Sequence, residues 1–568
     1  MQWLGKLRRN GRIRSRKEID PDEIFLDSSN LPEFNTFQFE GRFEQPISGR
    51  MLYSLVVFFV LVAILFTGRM WFLQIITGEA YAQQSENNRL RHTLIFAERG
   101  VVYDRNGLEL AWNIPREDES FSDRSFFTKP GLAHILGYVK YPAKDSAGFY
   151  YENEYVGSDG VEKMFNTELQ GKNGLRIVET NAIGDIVSKN IVRPPTNGMP
   201  VVLSIDAELQ NIFYEAIRDL ALDKDFDGGS AVVIDIDTGE LLALTNYPEY
   251  DSGVLTQGDD RATIASYQNR RDTPFLNRAV SGMYTPGSIV KPFVAIGALR
   301  EGIVSPEKNF FSSGSIEVPN PYDPDNPTIF NDWRAHGYVD MRRALAVSSN
   351  VYFYYIGGGF EEQKGLGILN IEKYMRMFGF GSTTGSDLLE EQPGIIPNPE
   401  WKSDNFDGEI WRVGDTYNTA IGQYGFQLTP LQAARGFAAI ANKGVLVNPT
   451  LMKDAAVPED VDRIDIDDNI FDVIHQGMRS AVLEGTAKGI NMYDVKVAGK
   501  TGTAQRGRGN KYVNSWVVGF FPYDKPKYAF AVLMENGPVK NLVGATFVMR
   551  QAFDWMASNR MEEYFIVQ

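Results

Sequence analysis

Residues 51–68, MLYSLVVFFVLVAILFTG, form a run of eighteen residues without a charged side chain, followed by Arg69 and the interface-like MWFLQII. At about 1.5 Å per residue, a helix over this run approaches the hydrocarbon thickness of a bilayer, so a transmembrane helix is expected over 51–76. Ala80-Tyr81-Ala82 offers a small-x-small cleavage site, but the 50-residue segment before the apolar run is far longer than a signal-peptide n-region. The helix is therefore expected to remain as a single-pass anchor. Residues 1–50 carry nine Lys or Arg, seven of them within residues 1–17. Large domains translocate largely regardless of charge, so this tail is read as cytoplasmic and the remaining chain as extracytoplasmic.

The other roughly 490 residues are enough for several buried cores, and the length prior points to about three or four domains. A formal charge of −16 argues against nucleic acid as a partner, and the absence of cysteine excludes disulfides, thiolate chemistry and Cys-based zinc sites. His92, His134, His336 and His475 are scattered, and no His-Glu-x-x-His pattern occurs. No metal and no cofactor is expected.

After the anchor, ERGVVYDRNGLELAW alternates apolar and polar residues around Asn106-Gly107, which predicts a hairpin with a two-residue turn. GSDGVEKMFNTELQGKNGLRIVET reads as a helical stretch, a Gly-rich turn and a strand. The Pro/Gly cluster in IVRPPTNGMPVVLSIDAELQ reads as a linker into a strand and a helix capped by Asp206, giving a domain boundary near 196. GGSAVVIDIDTGELLALTNY gives two strands joined at Asp237-Thr238-Gly239. A long middle region of helices and loops follows, then strands in VKVAGKTGTAQ, NSWVVGFFP and KYAFAVLMENG and a helix from Ala545 to about Met561. Two strands, a helical insertion, three strands and a last helix predict an α+β domain with an antiparallel five-stranded sheet covered by helices.

Within that domain, YTPGSIVKPF sets Ser288 three residues before Lys291, straight after a Pro-Gly turn. A helix beginning at the serine puts hydroxyl and amine on one face a turn apart, where a neutral lysine can share the hydroxyl proton. Ser348-Ser349-Asn350 begins 60 residues after Ser288, and Lys500-Thr501-Gly502-Thr503 begins 150 residues after Asn350. Alone, the second stretch is an ordinary N-cap and the third an ordinary hairpin end. Together, Ser-x-x-Lys, Ser-x-Asn and Lys-Thr-Gly in this order are the signature of penicillin-recognising serine acyltransferases. In that chemistry Ser288 attacks and Lys291 is its base, while Ser348 relays the proton to the leaving nitrogen. Asn350 orients Lys291 and a substrate amide. Lys500 adds a cation that helps keep Lys291 neutral and attracts a carboxylate. Gly502 lets substrate approach the strand, the N–H groups of Ser288 and Thr503 form an oxyanion hole, and the hydroxyls of Thr501 and Thr503 donate to substrate.

With NRAVSGMYTPGSIVKPF, FNDWRAHGYVDMRRALAVSSNVYFY, FGFGSTTGSDL, GDTYNTAIGQYGFQLTPLQ and VAGKTGTAQ, the chain resembles the class B penicillin-binding proteins, and most of all their elongation branch; RGVVYDRNG and GSDGVEKMFNTELQGKNG are similar to the non-catalytic pedestal of that family. The resemblance implies a tail at 1–50, an anchor at 51–76 in the inner (plasma) membrane, an elongated mixed α/β pedestal at 77–195 and a transpeptidase domain at 196–568. It also implies a peptidoglycan D,D-transpeptidase without a glycosyltransferase domain, acylated on Ser288 by stem peptides and by β-lactams, with a SEDS-family glycan polymerase as partner. A β-lactamase, a membrane β-lactam sensor and a silent scaffold share parts of the pattern. Three departures stand out. Only a short stretch separates RGVVYDRNG from HILGYV, where relatives carry a longer insertion. Tyr424 stands where the family usually has glycine. Ser349 replaces the cysteine that in some relatives helps hold a structural zinc beside the second motif, so that site is not expected here.

Overall fold

The computed structural model describes residues 49–79, 90–117, 121–146, 148–180, 186–320, 323, 325–388, 390–456, 463–507 and 509–566. Nearly all of the tail and the Ala80-Tyr81-Ala82 site lie outside the described residues. Helix α1 (Gly49–Trp71) continues through a wider π-type turn over Phe72–Ile76, an apolar segment of 28 residues with no buried side chain. At 1.5 Å per residue this is about 42 Å, long enough to cross a bilayer.

Residues from Leu90 onward form a second compact unit. Its first part holds an antiparallel three-stranded sheet in the order Leu90–Ile95, Gly174–Thr180, Ile186–Arg193. A four-stranded sheet runs Val201–Val202, Val102–Tyr103, Glu109–Ile114, Asp123–Phe126. The hairpin predicted at Asn106-Gly107 forms, but it closes over Asp104–Leu108 instead of two residues. The Asp104 carboxylate accepts from the N–H groups of Asn106 and Leu108, both at 2.8 Å, which stabilises the longer loop. The segments around Arg99 and Glu162, distant in the chain, meet in the core of this region. Glu162 accepts from Arg99 at 2.5 Å and Arg124 at 2.7 Å, with all three side chains out of solvent. Val201–Val202 lies beyond the boundary expected near 196, yet it pairs in parallel with Val102–Tyr103 and so completes the earlier sheet.

The larger part is built on five antiparallel strands: β1 (Gly228–Asp235), β2 (Leu241–Tyr247), β3 (Ala498–Arg506), β4 (Tyr512–Phe521) and β5 (Tyr528–Pro538), in the order β2-β1-β5-β4-β3. This is the predicted sheet. Its strands read as near-continuous apolar runs because both faces are covered. Ala231 and Val233 pack with Phe213 and Ile217 of α2 (Ala207–Lys224) and with Phe553 of the last long helix (Ala545–Asn559). Val232 and Ile234 point the other way, into a core with Phe293, Phe437 and Phe471. Asp206 caps α2 as expected, accepting from Glu208 and Leu209 N–H. The middle region departs from the helix-and-loop reading by a small hairpin, Ser315–Val318 with Thr328–Asn331, enclosed in the chain by a two-stranded pair, Phe310–Ser312 with Gly337–Val339. Ile329, Phe330 and Asn331 line a cleft together with Thr501, Gly502 and Thr503 of β3, whose outer edge has no strand neighbour among the described residues.

Candidate active site

Pro286 and Gly287 lead into a short 3₁₀ turn, Gly287–Val290, and Lys291 then opens α3 (Lys291–Arg300) with Pro292 tolerated in its first turn. A 3₁₀ turn brings residues three apart into line, so Ser288 and Lys291 share a face as the spacing predicted. The turn is clamped on two sides. Gly287 has φ +58°, and a Cβ there would lie 2.7 Å from the Thr503 carbonyl oxygen; its N–H donates to the Gly422 carbonyl at 2.9 Å. Trp516 on β4 donates to the Thr285 carbonyl at 3.0 Å.

Lys291 is wholly buried, and its Nζ donates to the Ser348 carbonyl at 2.8 Å, Asn350 Oδ1 at 2.7 Å and Ser348 Oγ at 3.3 Å. None of these bonds goes to Ser288, so the direct proton-sharing contact expected from spacing is not closed in this structure. The amine is instead aimed at the second motif. Burial pushes Lys291 down to about 7, against the pull of the Asp332 carboxylate. Lys500 is also wholly buried and held well below the ordinary lysine range, by burial first and by the charge of Lys291 second. The main cause of the Lys291 depression is thus burial, and not the Lys500 charge expected from the sequence. Lys500 donates to Ser348 Oγ at 2.8 Å and to the Thr501 carbonyl at 2.9 Å. One hydroxyl therefore sits between two buried amines.

Ser348 reaches that place through an unusual backbone. It ends α4 (Met341–Val347) at φ +60°, ψ 39°, a conformation that costs a non-glycine residue about 1–2 kcal/mol. Ser349 then caps α5 (Asn350–Gly357) by accepting from Tyr352 N–H, which sets Asn350 at the helix start. Asp332, which no sequence motif marks, organises this corner. Its Oδ2 accepts from Ser349 Oγ at 2.8 Å, Val351 N at 3.1 Å and Ser312 Oγ at 3.2 Å, and its Oδ1 from Trp333 N at 2.9 Å. No spacing rule links Asp332 to Ser349; the neighbouring hairpin brings them together.

The third motif lies on β3. Thr501 Oγ1 donates to Thr486 Oγ1 at 2.6 Å, another residue that the motifs do not mark. Thr503 is exposed. At Gly502 a Cβ would meet the Pro286 carbonyl oxygen at 2.6 Å and Ile289 Cγ2 at 2.8 Å, so its missing side chain makes room for the Ser288 turn. Ser288, Ser348, Asn350, Thr501, Gly502 and Thr503 line one cleft of about 1030 Å³, with Lys291 and Lys500 bonded to Ser348 behind it.

The zinc that some relatives hold beside this motif does not fit the residues present. Ser349 supplies a hydroxyl already bonded to Asp332 in place of a thiolate, and among the described residues no group of three or more His, Cys, Asp or Glu could hold a metal ion. A hydrogen-bonded corner takes that place.

This geometry coincides with a family. The model of the penicillin-binding protein transpeptidase domain matches residues 229–552, and that of the penicillin-binding protein dimerisation domain matches 117–203. The chain belongs to the penicillin-binding protein transpeptidase family. Among curated relatives, it is similar to the peptidoglycan D,D-transpeptidase MrdA of Acinetobacter baumannii, 29% identical over 589 residues covering 86% of this chain and 85% of the relative. Among solved structures, it is similar to PBP2 of Pseudomonas aeruginosa in complex with WCK 5153, at TM-score 0.68 and 30% identity over 84% of this chain and 98% of that one. It is also similar to a chain of a peptidoglycan synthase complex that coordinates polymerization and crosslinking. That match has TM-score 0.69 and 26% identity, covering 91% of this chain and 98% of that one. As a penicillin-binding protein of the PBP2 type, the chain carries all three family motifs around one cleft.

Proposed function

We propose that this penicillin-binding protein is a serine D,D-transpeptidase that cross-links peptidoglycan during cell elongation, without a glycosyltransferase domain of its own. The observation that carries the reading is one cleft lined by Ser288, Ser348, Asn350, Thr501 and Thr503, with the wholly buried Lys291 hydrogen-bonded to Ser348 and Asn350. Neutral Lys291 takes the proton as Ser288 Oγ attacks the carbonyl of a D-Ala-D-Ala stem peptide. The oxyanion is met by the N–H groups of Ser288 and Thr503. Ser348 Oγ, poised between Lys291 and Lys500, passes its proton to the departing D-Ala nitrogen as the acyl C–N bond breaks and is reprotonated by Lys291, which becomes neutral again. An amine of a neighbouring strand then attacks the Ser288 ester and loses its proton to the same lysine; as the acyl C–Oγ bond breaks, Lys291 returns that proton to Ser288 Oγ and the cross-linked amide leaves. The edge of β3 at Thr501 and Thr503 holds the extended peptide, with Gly502 keeping the Ser288 turn against it.

Intact-protein mass spectrometry after fluorescent penicillin tests this. A lasting adduct on the parent, absent from Ser288→Ala at unchanged melting temperature, is expected. Labelling of the alanine variant at the parent rate would refute the assignment, and rapid hydrolysis of the adduct would mark a β-lactamase.

In the same reading, residues 51–76 anchor the protein in the plasma membrane with the N-terminus cytoplasmic, and 77–195 form the pedestal. A transpeptidase without a polymerase needs strands made by another protein, and the similar chain of the synthase complex belongs to an assembly that coordinates polymerization with crosslinking. A SEDS-family polymerase is the partner we propose, docked on the helix and pedestal. In its support, the pedestal strand Ile186–Arg193 exposes Ile186, Val187, Ile191 and Val192 at a sheet edge with no further strand neighbour among the described residues. Replacing the helix or deleting the pedestal should abolish co-purification with the polymerase in detergent. Undiminished co-purification of both variants would reduce the pedestal to a spacer.

A further inference from the structure

The loop between α6 (Val413–Ala420) and α7 (Pro430–Ala441) reverses through Gly422–Gly425, where Gly422, Tyr424 and Gly425 have φ of 75°, 60° and 80°. Glycine adopts this conformation freely, but a tyrosine needs its surroundings to impose it. An aromatic box does so. The Tyr424 ring meets Trp401 edge-on at 5.8 Å and Trp411 edge-on at 5.7 Å, and stacks on Phe406 at 6.1 Å and 7°. Lys402 Nζ sits 5.8 Å from the ring centre and is itself fixed by Asp415 at 2.7 Å. Gly425 belongs to the same packing, since a Cβ there would overlap the Trp401 ring.

The other end of the loop touches the Ser288 turn. The Gly422 carbonyl accepts from Gly287 N–H at 2.9 Å, and a Cβ on Gly422 would overlap the Gly287 carbonyl. Tyr424 and Ser288 line the same cleft. The path from the box to the Ser288 turn therefore runs from box to ring, ring to strained backbone, backbone to Gly422, and Gly422 to Gly287. Strained non-glycine backbone that the surroundings hold in place beside a reacting group is the pattern expected of a pre-organised site.

We propose that Tyr424 is a positioning residue for acylation: wedged among Trp401, Phe406 and Trp411, it locks residues 422–425 in the shape that fixes Gly287 and holds Ser288 against Thr503. The proposal rests on Ser288 being the nucleophile. Tyr424→Phe keeps the wedge, Tyr424→Ala keeps the backbone demand without the ring, and Tyr424→Gly removes both while suiting the φ of the position, so it guards against a variant that merely fails to fold. The assay is the saturation dependence of fluorescent-penicillin acylation on the full-length protein in detergent. It separates the binding constant from the limiting acylation rate, and melting temperature and pH profile are recorded alongside.

Tyr424→Phe is expected within about twofold of the parent. Tyr424→Ala and Tyr424→Gly are expected to lose roughly tenfold or more in the limiting rate, as a displaced nucleophile does, with the binding constant and the pH midpoint unchanged. An unchanged limiting rate in both Ala and Gly variants overturns the proposal, whatever their melting temperatures. An equal loss in Tyr424→Phe overturns it too, because the hydroxyl and not the wedge would then be at work. A parent that forms no adduct overturns the Ser288 reading, and this inference with it.

Discussion

If Lys291 takes the Ser288 proton, acylation must follow the fraction of Lys291 that is neutral. With the amine held at about 7, that fraction is about one tenth at pH 6, one half at pH 7 and nine tenths at pH 8. The acylation rate constant should therefore climb about tenfold from pH 6 to 8 and then flatten. A lysine at its ordinary 10.5 would be neutral in only about 3 in 10,000 molecules at pH 7, and its curve would still be rising tenfold per pH unit at pH 8. Because Asp332 pulls against burial, Asp332→Asn should move the rise to lower pH, and this midpoint can be read even if the variant is less stable. Lys291→Arg keeps a cation but gives no base near neutrality, and should cost at least about 100-fold. Rapid-quench acylation between pH 5.5 and 9, with the folded fraction checked by melting at each pH, measures all three. A flat profile from pH 6 to 8, or a Lys291→Arg rate equal to the parent's, would remove Lys291 from the reaction. The same depression has a stability consequence. The folded value lies below the unfolded one, so between about 7 and 10.5 the unfolded chain holds the extra proton. Stability should rise with pH across that window, by up to about 1.4 kcal/mol per pH unit from this group, and Lys291→Met should rise less steeply.

Ser348→Gly should lose at least about 100-fold in acylation as the hydroxyl between the two lysines disappears. Its melting temperature should stay within about 3 °C, because relief of the left-handed strain, about 1–2 kcal/mol, offsets the roughly 0.5–1 kcal/mol that glycine gains in the unfolded chain. Gly502→Ala, with its Cβ forced to 2.6 Å from the Pro286 carbonyl, should shift the Ser288 turn and slow acylation about tenfold or more in the same assay. Glu162→Gln leaves Arg99 and Arg124 buried without their shared carboxylate and should cost about 3–5 kcal/mol in urea unfolding. The protein that remains folded should acylate at the parent rate, since this cluster is outside the cleft.

The candidate reacting groups were legible because the chemistry proposed for them dictates residue type at fixed local spacing: a 3₁₀ turn needs only i and i+3 to bring Ser288 and Lys291 to one face. The five-stranded sheet was legible for a related reason, since strands covered on both faces must be apolar at nearly every position, as GGSAVVID and YAFAVLM are. The holding groups follow no such rule. Asp332 gathers Ser349 and Val351 across 17 and 19 residues, through a hairpin whose strands Ser315–Val318 and Thr328–Asn331 are too short to stand out among loops. Gly287 meets Thr503 and Gly422, 216 and 135 residues further on, and it is the Thr503 backbone that leaves no room for a Cβ at 287. A glycine in a motif announces that something comes close. Only the fold says what comes close, and for a Cβ at Gly502 it is the protein's own Pro286 carbonyl. The same ambiguity explains Tyr424. As a departure from a usual glycine it reads as a change of loop shape, whereas the backbone keeps the left-handed turn that glycine would give and the aromatic box of Trp401, Phe406 and Trp411 supplies the force that holds it there.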